Sequence, residues 1–471
     1  MARIYPKVLI ASCMAIAMSA SADDGPATGD ESRMVIYDDV IFFDGYNTLE
    51  NLSDESKAMI PENDGILRHR TSLYSVRLTD EQLDGIGENL KMLVEIGALC
   101  DNYDRIGNIN LALVPKGAES YVSDEVDRLE IGRFITPFMN KNIEPTSVPY
   151  EFDMDYMSLI LRDARLRADY DIWAEFELFG IPYAANEQVR GCAGRQDVFT
   201  GTLTFVTDAQ PAPKTDNNVL VPIVIKKPEY MGGNFNNYGE GCTDEPGKTV
   251  KTWSFELTED VSDGHVIFIT SNHGANPGGE EYNRRKHFVY FDGKLATIYT
   301  PGRDSCEPFR VYNTQLNGIY GYSEMSDQEW QSFSNWCPGD KIDNRVLHVG
   351  PLSKGKHDVK IKVMNAKFAD KQGDIPVSMF FQGVLSGSLP GYSAVEGVKA
   401  DMRSGISIDG DKCVVSSIEP VESILLYDAS GKLLGMEFDK NVISLASART
   451  GVHVIVVEYS DGMTEYHKIM R

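Results

Sequence analysis

The segment Val198–Thr207 reads VFTGTLTFVT, in which β-branched and aromatic residues alternate with small or polar ones. A period of two over this length indicates a β-strand with one buried face. Ten further segments share this character and lie between clusters of Gly, Pro, Asn and Asp: Met34–Phe43, Leu90–Cys100, Asn108–Val114, Tyr170–Leu178, Val219–Ile225, Thr249–Leu257, His265–Thr270, His287–Phe291, Arg345–Val349 and Val359–Val363. Short strands separated by turns predict an all-β sandwich or barrel. Helices are expected only as short pieces, one through Met157–Arg165 with Asp155 as its cap and one at 79–90.

Two breaks and a change of character divide the chain into domains. A polar, Pro-containing stretch at 207–218 predicts a linker, and a Gly- and Ser-rich stretch at 386–396 predicts a second break. Beyond Val395, a strand, a Ser-Gly turn and further short strands predict a small β-sandwich. The predicted domains occupy 34–208, 217–388 and 395–471.

The composition excludes some classes of protein. The chain has 471 residues and a formal net charge of −25, from 45 basic and 70 acidic side chains. This acidic balance argues against binding of nucleic acid and against electrostatic docking on anionic lipid, because both need clustered basic charge. The hydrophobic fraction of 42% is ordinary for a globular protein.

The N-terminus predicts export. Residues 1–22 have the pattern of a signal peptide, with two basic residues, an apolar run at 8–18 and an A-x-A cleavage site at 20–22. The run is shorter than the roughly 20 apolar residues that span a bilayer. A lipoprotein signal at Cys13 is the alternative. The six remaining cysteines suit an oxidising compartment and show no zinc-type spacing.

The first motif with functional character is CDNYDR at Cys100–Arg105. Two carboxylates and an Arg flank a Tyr, and such a set suits a saccharide, because the ring covers a sugar face while the charges bind hydroxyls. A nearby Arg lowers the pKa of an Asp, whereas burial raises it. The alternative is a structural ion pair from Asp101 or Asp104 to Arg105.

Other segments also carry polar or aromatic groups that a ligand could use. In the strand Ile172–Glu177, a period of two places one Trp and two Glu on the same face, which suits either a polar groove or a solvated sheet face. The Gly-rich loop 271–282 follows a strand, as functional loops often do, although a solvated acidic loop is the alternative. Cys306 and Cys337 bracket a loop that a disulfide could close, with Trp336 displayed beside it.

Together these motifs resemble those of the peptide-N-glycosidase F family, bacterial amidases of N-glycans. The resemblance extends over about 34–385. It rests on four stretches in matching order and spacing: Cys100–Arg105, EIGRFITP at 130–137, Glu281 with His287, and NWCPG at 335–339. It implies two antiparallel eight-stranded jelly rolls side by side, with the glycan in the cleft between them. The implied reaction hydrolyses the amide between the innermost GlcNAc and Asn, giving Asp and a glycosylamine.

The resemblance also implies residue roles. Asp104 takes the position of the principal catalytic carboxylate, and Glu281 that of a second carboxylate, which acts through a water and binds the sugar. The substrate-binding positions fall on Glu175, Arg105, His273, Trp336 and Tyr282. Positioned carboxylates can move protons, and an Arg can stabilise a carbonyl oxygen, so the residue types suit amide hydrolysis. No metal or cofactor is expected, since the eight His residues show no HxH or HExxH spacing.

Near the site the chain departs from the family pattern. A family disulfide beside the catalytic Glu is absent, and Cys100 has no partner just upstream. The segment 180–197, which contains Cys192, has the character of an insertion. The disulfides predicted on this basis are Cys306–Cys337 and Cys192–Cys242. The alternative function is a non-catalytic jelly-roll protein that binds N-glycans.

The C-terminal segment resembles the sorting domain of a secretion pathway in Bacteroidetes-type bacteria, with a generic Ig-like domain as the alternative. The expectation is a periplasmic, cell-surface or secreted monomer from a Gram-negative bacterium. Its expected partners are N-linked glycoproteins or glycopeptides, with no nucleic acid and no membrane span.

Overall fold

The structure is a computed structural model. It describes residues 31–225, 249–274, 280–315, 324, 326–331, 335–364, 366, 375–386, 404–409, 411–417, 420–428, 432–438, 440–448, 452–459 and 464–470. The predicted signal peptide at 1–22, the lipoprotein alternative at Cys13 and residue Cys242 lie outside these ranges. Among the described residues, no helix has the length and apolar character needed to cross a membrane.

The first domain consists of two facing antiparallel sheets. Its strands are β1 (Glu31–Phe43), β2 (Leu67–Arg70), β3 (Leu73–Arg77), β4 (Leu90–Ala98), β5 (Ile106–Pro115), β6 (Asp127–Ile135), β7 (Ser147–Asp153), β8 (Tyr170–Leu178) and β9 (Asp197–Asp208). One sheet has the order β1–β9–β4–β7 and the other contains β6–β5–β8–β3–β2. The first and last strands are neighbours, which is the arrangement of a jelly roll.

Short helices connect these strands. They are α1 (Asp54–Ala58), α2 (Asp80–Asp84), α3 (Asp155–Leu161), α4 (Ala164–Asp169) and α5 (Tyr183–Gln188). The helix expected at 79–90 is the short α2, which Thr79 begins with a capping box to Gln82. The helix expected through Met157–Arg165 is split into α3 and α4. Asp155 lies inside α3 rather than capping it, and its carboxylate accepts a hydrogen bond from the Leu90 amide.

The second domain repeats the same strand order. Its strands are β10 (Asn218–Val224), β11 (Val250–Leu257), β12 (Val261–Thr270), β13 (His287–Phe291), β14 (Lys294–Tyr299), β16 (Arg345–His348), β17 (Gly355–Val363) and β18 (Val377–Leu385); one helix, α6 (Asp327–Gln331), is also described. The sheets are β10–β18–β12–β16 and β11–β17–β13–β14. The predicted all-β fold with two jelly rolls is therefore confirmed.

A two-residue strand of the second domain joins the sheet of the first. This strand, β15 (Lys341–Ile342), pairs with β6 at its outer edge. The Ile135 amide donates to Asp340 O at 3.0 Å, and the Gly339 amide donates to Ile135 O at 2.9 Å. Backbone hydrogen bonds thus cross directly from one domain to the other.

A buried ion pair lies at the same interface. Arg133 contacts the Glu130 carboxylate through Nε at 2.7 Å and Nη2 at 2.8 Å, and both side chains are 0% exposed. Arg133 Nη1 reaches the second domain, donating to Ser271 Oγ and Pro376 O at 2.8 and 2.9 Å. Ser378 Oγ donates to Glu130 from the same side.

A β-bulge makes this pair possible. Along β6, Gly132 faces Ile109 of β5, but the next paired residue is Glu130 facing Asn110, so Ile131 is an extra residue. Residues three apart on a regular strand point to opposite faces. Because the bulge inserts one residue, Glu130 and Arg133 share a face and meet.

The C-terminal segment forms a third, smaller sandwich. Its strands are β19 (Ser404–Asp409), β20 (Lys412–Ser417), β21 (Val421–Asp428), β22 (Leu433–Phe438), β23 (Val442–Ser444), β24 (Val452–Tyr459) and β25 (Thr464–Met470). The two sheets, β19–β20–β23 and β22–β21–β24–β25, enclose a core that includes Ile424 and Ile455. Thr297 of the second domain donates to the Glu458 carboxylate of this module at 3.3 Å.

Two disulfide bonds are present among the described residues. Cys306 pairs with Cys337, as predicted. The predicted Cys192–Cys242 pair is wrong, because Cys192 is bonded to Cys100. The segment 180–197 folds back over the Cys100 loop, where the Ile181 amide donates to Asp101 Oδ2 at 2.7 Å, and the two cysteine Cα atoms lie 5.4 Å apart.

Glu130→Gln is expected to lower the free energy of unfolding by about 3–5 kcal/mol, because it leaves the buried Arg133 guanidinium without its counter-charge. Arg165→Gln is a matched control. Arg165 and Glu259 also join the two domains, at 3.1 Å, but each side chain is 51% exposed. Such a surface pair contributes about 0–1 kcal/mol. Urea denaturation of the full chain measures both, and equal losses would contradict the role given to the buried pair.

Candidate active site

Asp104 lies in a tightly held loop between Cys100 and β5. The Arg105 amide donates to Thr136 Oγ1 at 2.7 Å, and that hydroxyl donates to Tyr103 O at 3.0 Å. The Thr136 amide completes the contact by donating to Arg105 O at 2.8 Å. These bonds, with the disulfide at Cys100, fix the backbone on both sides of the half-buried Asp104 side chain.

Arg105 pairs with Asp101 and not with Asp104. Its Nε donates to Asp101 Oδ2 at 2.7 Å, and its guanidinium lies over the Tyr103 ring at 4.4 Å. Burial raises the pKa of Asp101, and the Arg105 charge opposes that effect. Of the alternatives left open by the sequence, the Asp101–Arg105 ion pair is therefore the one that forms.

Glu281 lies in a short 3₁₀ turn, Glu280–Tyr282, of the second domain. The Gly274 amide donates to its carboxylate at 3.2 Å. The preceding Glu280 carboxylate is 0% exposed and accepts from Arg285 Nε and Nη2, each at 3.0 Å. The turn therefore anchors one Glu internally and leaves the other half-buried.

Asn335 holds the Glu281 turn against the neighbouring loop. Its Nδ2 donates to Glu281 O at 2.6 Å and to Asn272 O at 2.9 Å, and its Oδ1 accepts from the Asn272 amide at 3.0 Å. This role was not predicted from the sequence, although Asn335 begins the motif NWCPG. One buried side-chain amide therefore joins the turn to the neighbouring loop.

The two carboxylates come from different domains and lie within electrostatic reach of each other. Burial raises the pKa of Asp104 well above its ordinary value, and the Glu281 charge raises it further. Burial also raises the pKa of Glu281, against the hydrogen bonds from Gly274 N–H and the Tyr282 hydroxyl, which lower it. Two like charges at one site disfavour ionisation of both carboxyls at once, so the pair binds one proton more readily than a separate carboxyl does.

His273 and Trp336 lie in neighbouring loops of the second domain, and Trp336 packs in a hydrophobic cluster with Ile135 of the first domain. Their rings stack with centroids 5.8 Å apart, and His273 Nε2 is hydrogen-bonded to Ser271 Oγ at 2.7 Å. Trp336 is 5% exposed and donates from Nε1 to Asn272 O at 3.0 Å. The structure therefore buries Trp336 instead of displaying it at the surface. Tyr282, in contrast, is 52% exposed.

Glu175 lies in a separate buried cluster. Its carboxylate accepts from Arg128 Nε at 2.6 Å and from Asn110 Nδ2 at 3.1 Å. The hydroxyls of Tyr121 and Ser123 donate to its other oxygen at 2.9 and 3.2 Å. Asn110 is four residues, or about 13 Å, into β5 from the strand end beside Asp104. The predicted site residues thus divide, with Asp104, Glu281 and Tyr282 together and Glu175 apart.

Models of one protein family match both large domains. The model described as "Peptide-N-glycosidase F, N terminal" matches residues 35–192, and "Peptide-N-glycosidase F, C terminal" matches residues 241–382. The chain belongs to the peptide-N-glycosidase F family. A comparison with curated proteins finds no match.

The solved structure of PNGF-II has a similar fold. The PNGF-II structure is 18% identical, with a TM-score of 0.53, and the match covers 76% of this chain and 66% of that one. The chain thus spans about two thirds of the PNGF-II structure. PNGase F, a glycosylasparaginase from Flavobacterium meningosepticum, is 14% identical with a TM-score of 0.47, over 75% of this chain and 96% of that one.

Asp104→Asn is expected to raise the midpoint of thermal unfolding at pH 7. Because folding raises the pKa of this carboxyl, its ionisation favours the unfolded chain once the pH exceeds the ordinary Asp value of about 4. The gain should vanish near pH 3, where the carboxyl is protonated in both states. Asp304→Asn is the control: its carboxylate is 94% exposed and pairs with Arg284 at the surface, so the midpoint should stay nearly unchanged. Destabilisation by Asp104→Asn at pH 7 would contradict this description of the site.

Proposed function

We propose that this protein is a peptide-N4-(N-acetyl-β-glucosaminyl)asparagine amidase. The observation that carries the proposal is the meeting of Asp104 and Glu281, from different domains, in surroundings that raise the pKa of both. Membership of the peptide-N-glycosidase F family supports the same reaction. The substrates would be N-linked glycoproteins or glycopeptides, with the glycan in the cleft between the jelly rolls.

Because the two carboxyls hold one proton between them, one can act as the general base and the other as the general acid. Glu281 is the ionised partner, because the Gly274 amide and the Tyr282 hydroxyl stabilise its charge. It takes a proton from the attacking water. Asp104 holds its proton and gives it to the amide nitrogen as the C–N bond breaks. The water oxygen remains on the new Asp carboxyl, and the glycan leaves as a glycosylamine.

Arg105 can support the developing charge on the carbonyl oxygen. Its bonds to Asp101 use Nε and Nη2, and Nη1 makes no hydrogen bond to any residue that the structure describes. Positive charge held in a fixed orientation beside the reacting carbonyl stabilises the transition state. Asp101 therefore acts as a positioning residue that holds the guanidinium.

The remaining predicted residues receive different roles. Tyr282 is exposed enough to contact the sugar directly. The half-buried His273 and the buried Trp336 support the floor of the cleft. Glu175 is hydrogen-bonded within its own cluster, so we assign it a structural role in shaping the first jelly roll.

The two disulfide bonds suit an exported protein, because such bonds persist in oxidising compartments. We propose that residues 1–22 direct export from a Gram-negative, Bacteroidetes-type bacterium. The C-terminal sandwich would then serve as the sorting domain. The enzyme is proposed to act as a monomer.

Incubation with a denatured N-glycoprotein in water enriched in heavy oxygen tests the reaction. The amidase is expected to release the whole glycan and to leave an Asp that carries one heavy oxygen atom. A glycosidase would leave GlcNAc on the Asn, and a protein that only binds N-glycans would retain the glycan without releasing it. Either result would contradict the proposal.

Variants test whether the two carboxyls, and not other surface carboxylates, are needed for activity. Asp104→Asn and Glu281→Gln should each lower kcat by about 10²–10⁴-fold. Asp304→Asn is the matched control, since it changes a 94% exposed carboxylate in the same domain as Glu281, and it should keep the wild-type rate. Full activity of Asp104→Asn would show that the catalytic assignment is wrong.

The pH dependence of kcat/KM should be bell-shaped. Its acidic limb follows ionisation of Glu281 and its alkaline limb follows loss of the Asp104 proton, both above the ordinary carboxyl range because folding raises both pKa values. Tyr282→Phe should move the acidic limb to higher pH, since the Tyr hydroxyl lowers the pKa of Glu281. Tyr46→Phe, at a 78% exposed position in the first domain, is the control. An acidic limb that stays in place in Tyr282→Phe would contradict the role of Glu281.

A further inference from the structure

One sheet of the second domain carries a second cluster of titratable side chains. On β12, Ile267 and Ile269 pack in clusters shared with the first domain. Alternate residues of a strand share a face, so His265 and Asp263 continue the same row beyond that interface. Both are half-buried. The face therefore changes from an apolar contact to a polar, accessible surface within a few residues.

A second histidine completes the cluster from the neighbouring strand. His348 of β16 lies directly opposite His265 in the antiparallel register, and the two rings are 4.9 Å apart between centroids. His348 Nε2 is 2.6 Å from Asp263 Oδ1. One ligand atom from each of the three residues lies within 4.8 Å of the other two.

Two imidazoles and one carboxylate form a donor set that zinc and related divalent ions prefer. Magnesium and calcium favour oxygen ligands alone. Around a tetrahedral ion, two ligand atoms at about 2.0 Å from the metal are about 3.3 Å apart. The Asp263 and His348 atoms thus need to separate by less than about 1 Å, which small side-chain rotations supply.

The surroundings leave a position for a further ligand. Gln382 of β18 lies opposite His265 on the other side of β12, and either its amide oxygen or a water can complete the coordination. Tyr466 of the C-terminal sandwich packs edge-on to the His348 ring, with centroids 5.9 Å apart. Because His348 is exposed, an ion in solution can reach the cluster.

We propose that Asp263, His265 and His348 bind a divalent transition metal ion of the zinc type. The site is distinct from the carboxyl pair described above. His265 lies five residues, or about 17 Å, before the end of β12 at Thr270. The loop that contacts Glu281 begins only after that end. The inference does not depend on the amidase proposal.

Calorimetric titration of the full chain with Zn²⁺ tests this site. The protein should carry no polyhistidine tag and should first be freed of metal with a chelator. We expect saturable binding of one equivalent, and a thermal unfolding midpoint that rises with Zn²⁺ because the ion binds the folded state. Absence of saturable binding by the metal-free wild type would overturn the proposal.

Two variants identify the ligands. His348→Ala changes an exposed side chain and removes a proposed metal ligand. It should lower the Zn²⁺ affinity at least about tenfold, because loss even of a residue that only hydrogen-bonds to a metal ligand typically lowers metal affinity by that factor. His357→Ala is the matched control, because His357 pairs with Asp292 at 2.8 Å elsewhere in the same domain. Unchanged affinity in His348→Ala, or an equal loss in His357→Ala, would overturn the assignment. Visible absorption of the Co²⁺-loaded protein gives an independent readout, and an octahedral spectrum in place of a tetrahedral one would contradict the proposed coordination.

Discussion

The Glu130–Arg133 ion pair is the contact on which the relative position of the two large domains depends. Arg133 uses Nε and Nη2 for Glu130 and Nη1 for Ser271 and Pro376 across the interface. A buried guanidinium is strongly destabilising once it loses its partners, so the domains resist sliding past each other. Ser271 is in turn bonded to His273, in the loop whose Gly274 holds Glu281. The same interface therefore sets the separation of two carboxyls that no single domain contains.

A second ion pair distinguishes the two carboxyls of CDNYDR, and in the proposed mechanism it leaves Asp104 to act as the acid. In CDNYDR, Arg105 has two acidic neighbours. It forms its ion pair with Asp101, whose carboxylate also accepts hydrogen bonds from backbone amides. Burial raises the pKa of both carboxyls; the Arg105 ion pair opposes that effect at Asp101, whereas the Glu281 charge adds to it at Asp104. Of the two, Asp104 is the carboxyl whose pKa is raised well above its ordinary value, first by burial and then by Glu281.

Local patterns in the sequence predicted the strands well, because alternation along a strand is dictated by the two sides of its own sheet. The capped turn at Thr79 and the all-β class follow from the same kind of information. Features that depend on distant segments were not predictable. The bulge at Ile131 brings Glu130 and Arg133 to the domain interface, and Cys192 reaches Cys100 from 92 residues away. Glu175 is buried under Tyr121 and Ser123, which come from a loop more than 50 residues earlier in the chain. His265 and His348 likewise become neighbours only through strand pairing.

The short strand β15 has a meaning for how such a chain can evolve. Because the two jelly rolls have the same strand order, each could be taken for a module that evolution can exchange independently. Yet β15 belongs by sequence to the second domain and by hydrogen bonding to the first. Recombination that brought in a foreign second domain would leave the edge of β6 bare, and an open edge invites pairing with other chains. The two jelly-roll domains are therefore expected to have been inherited together.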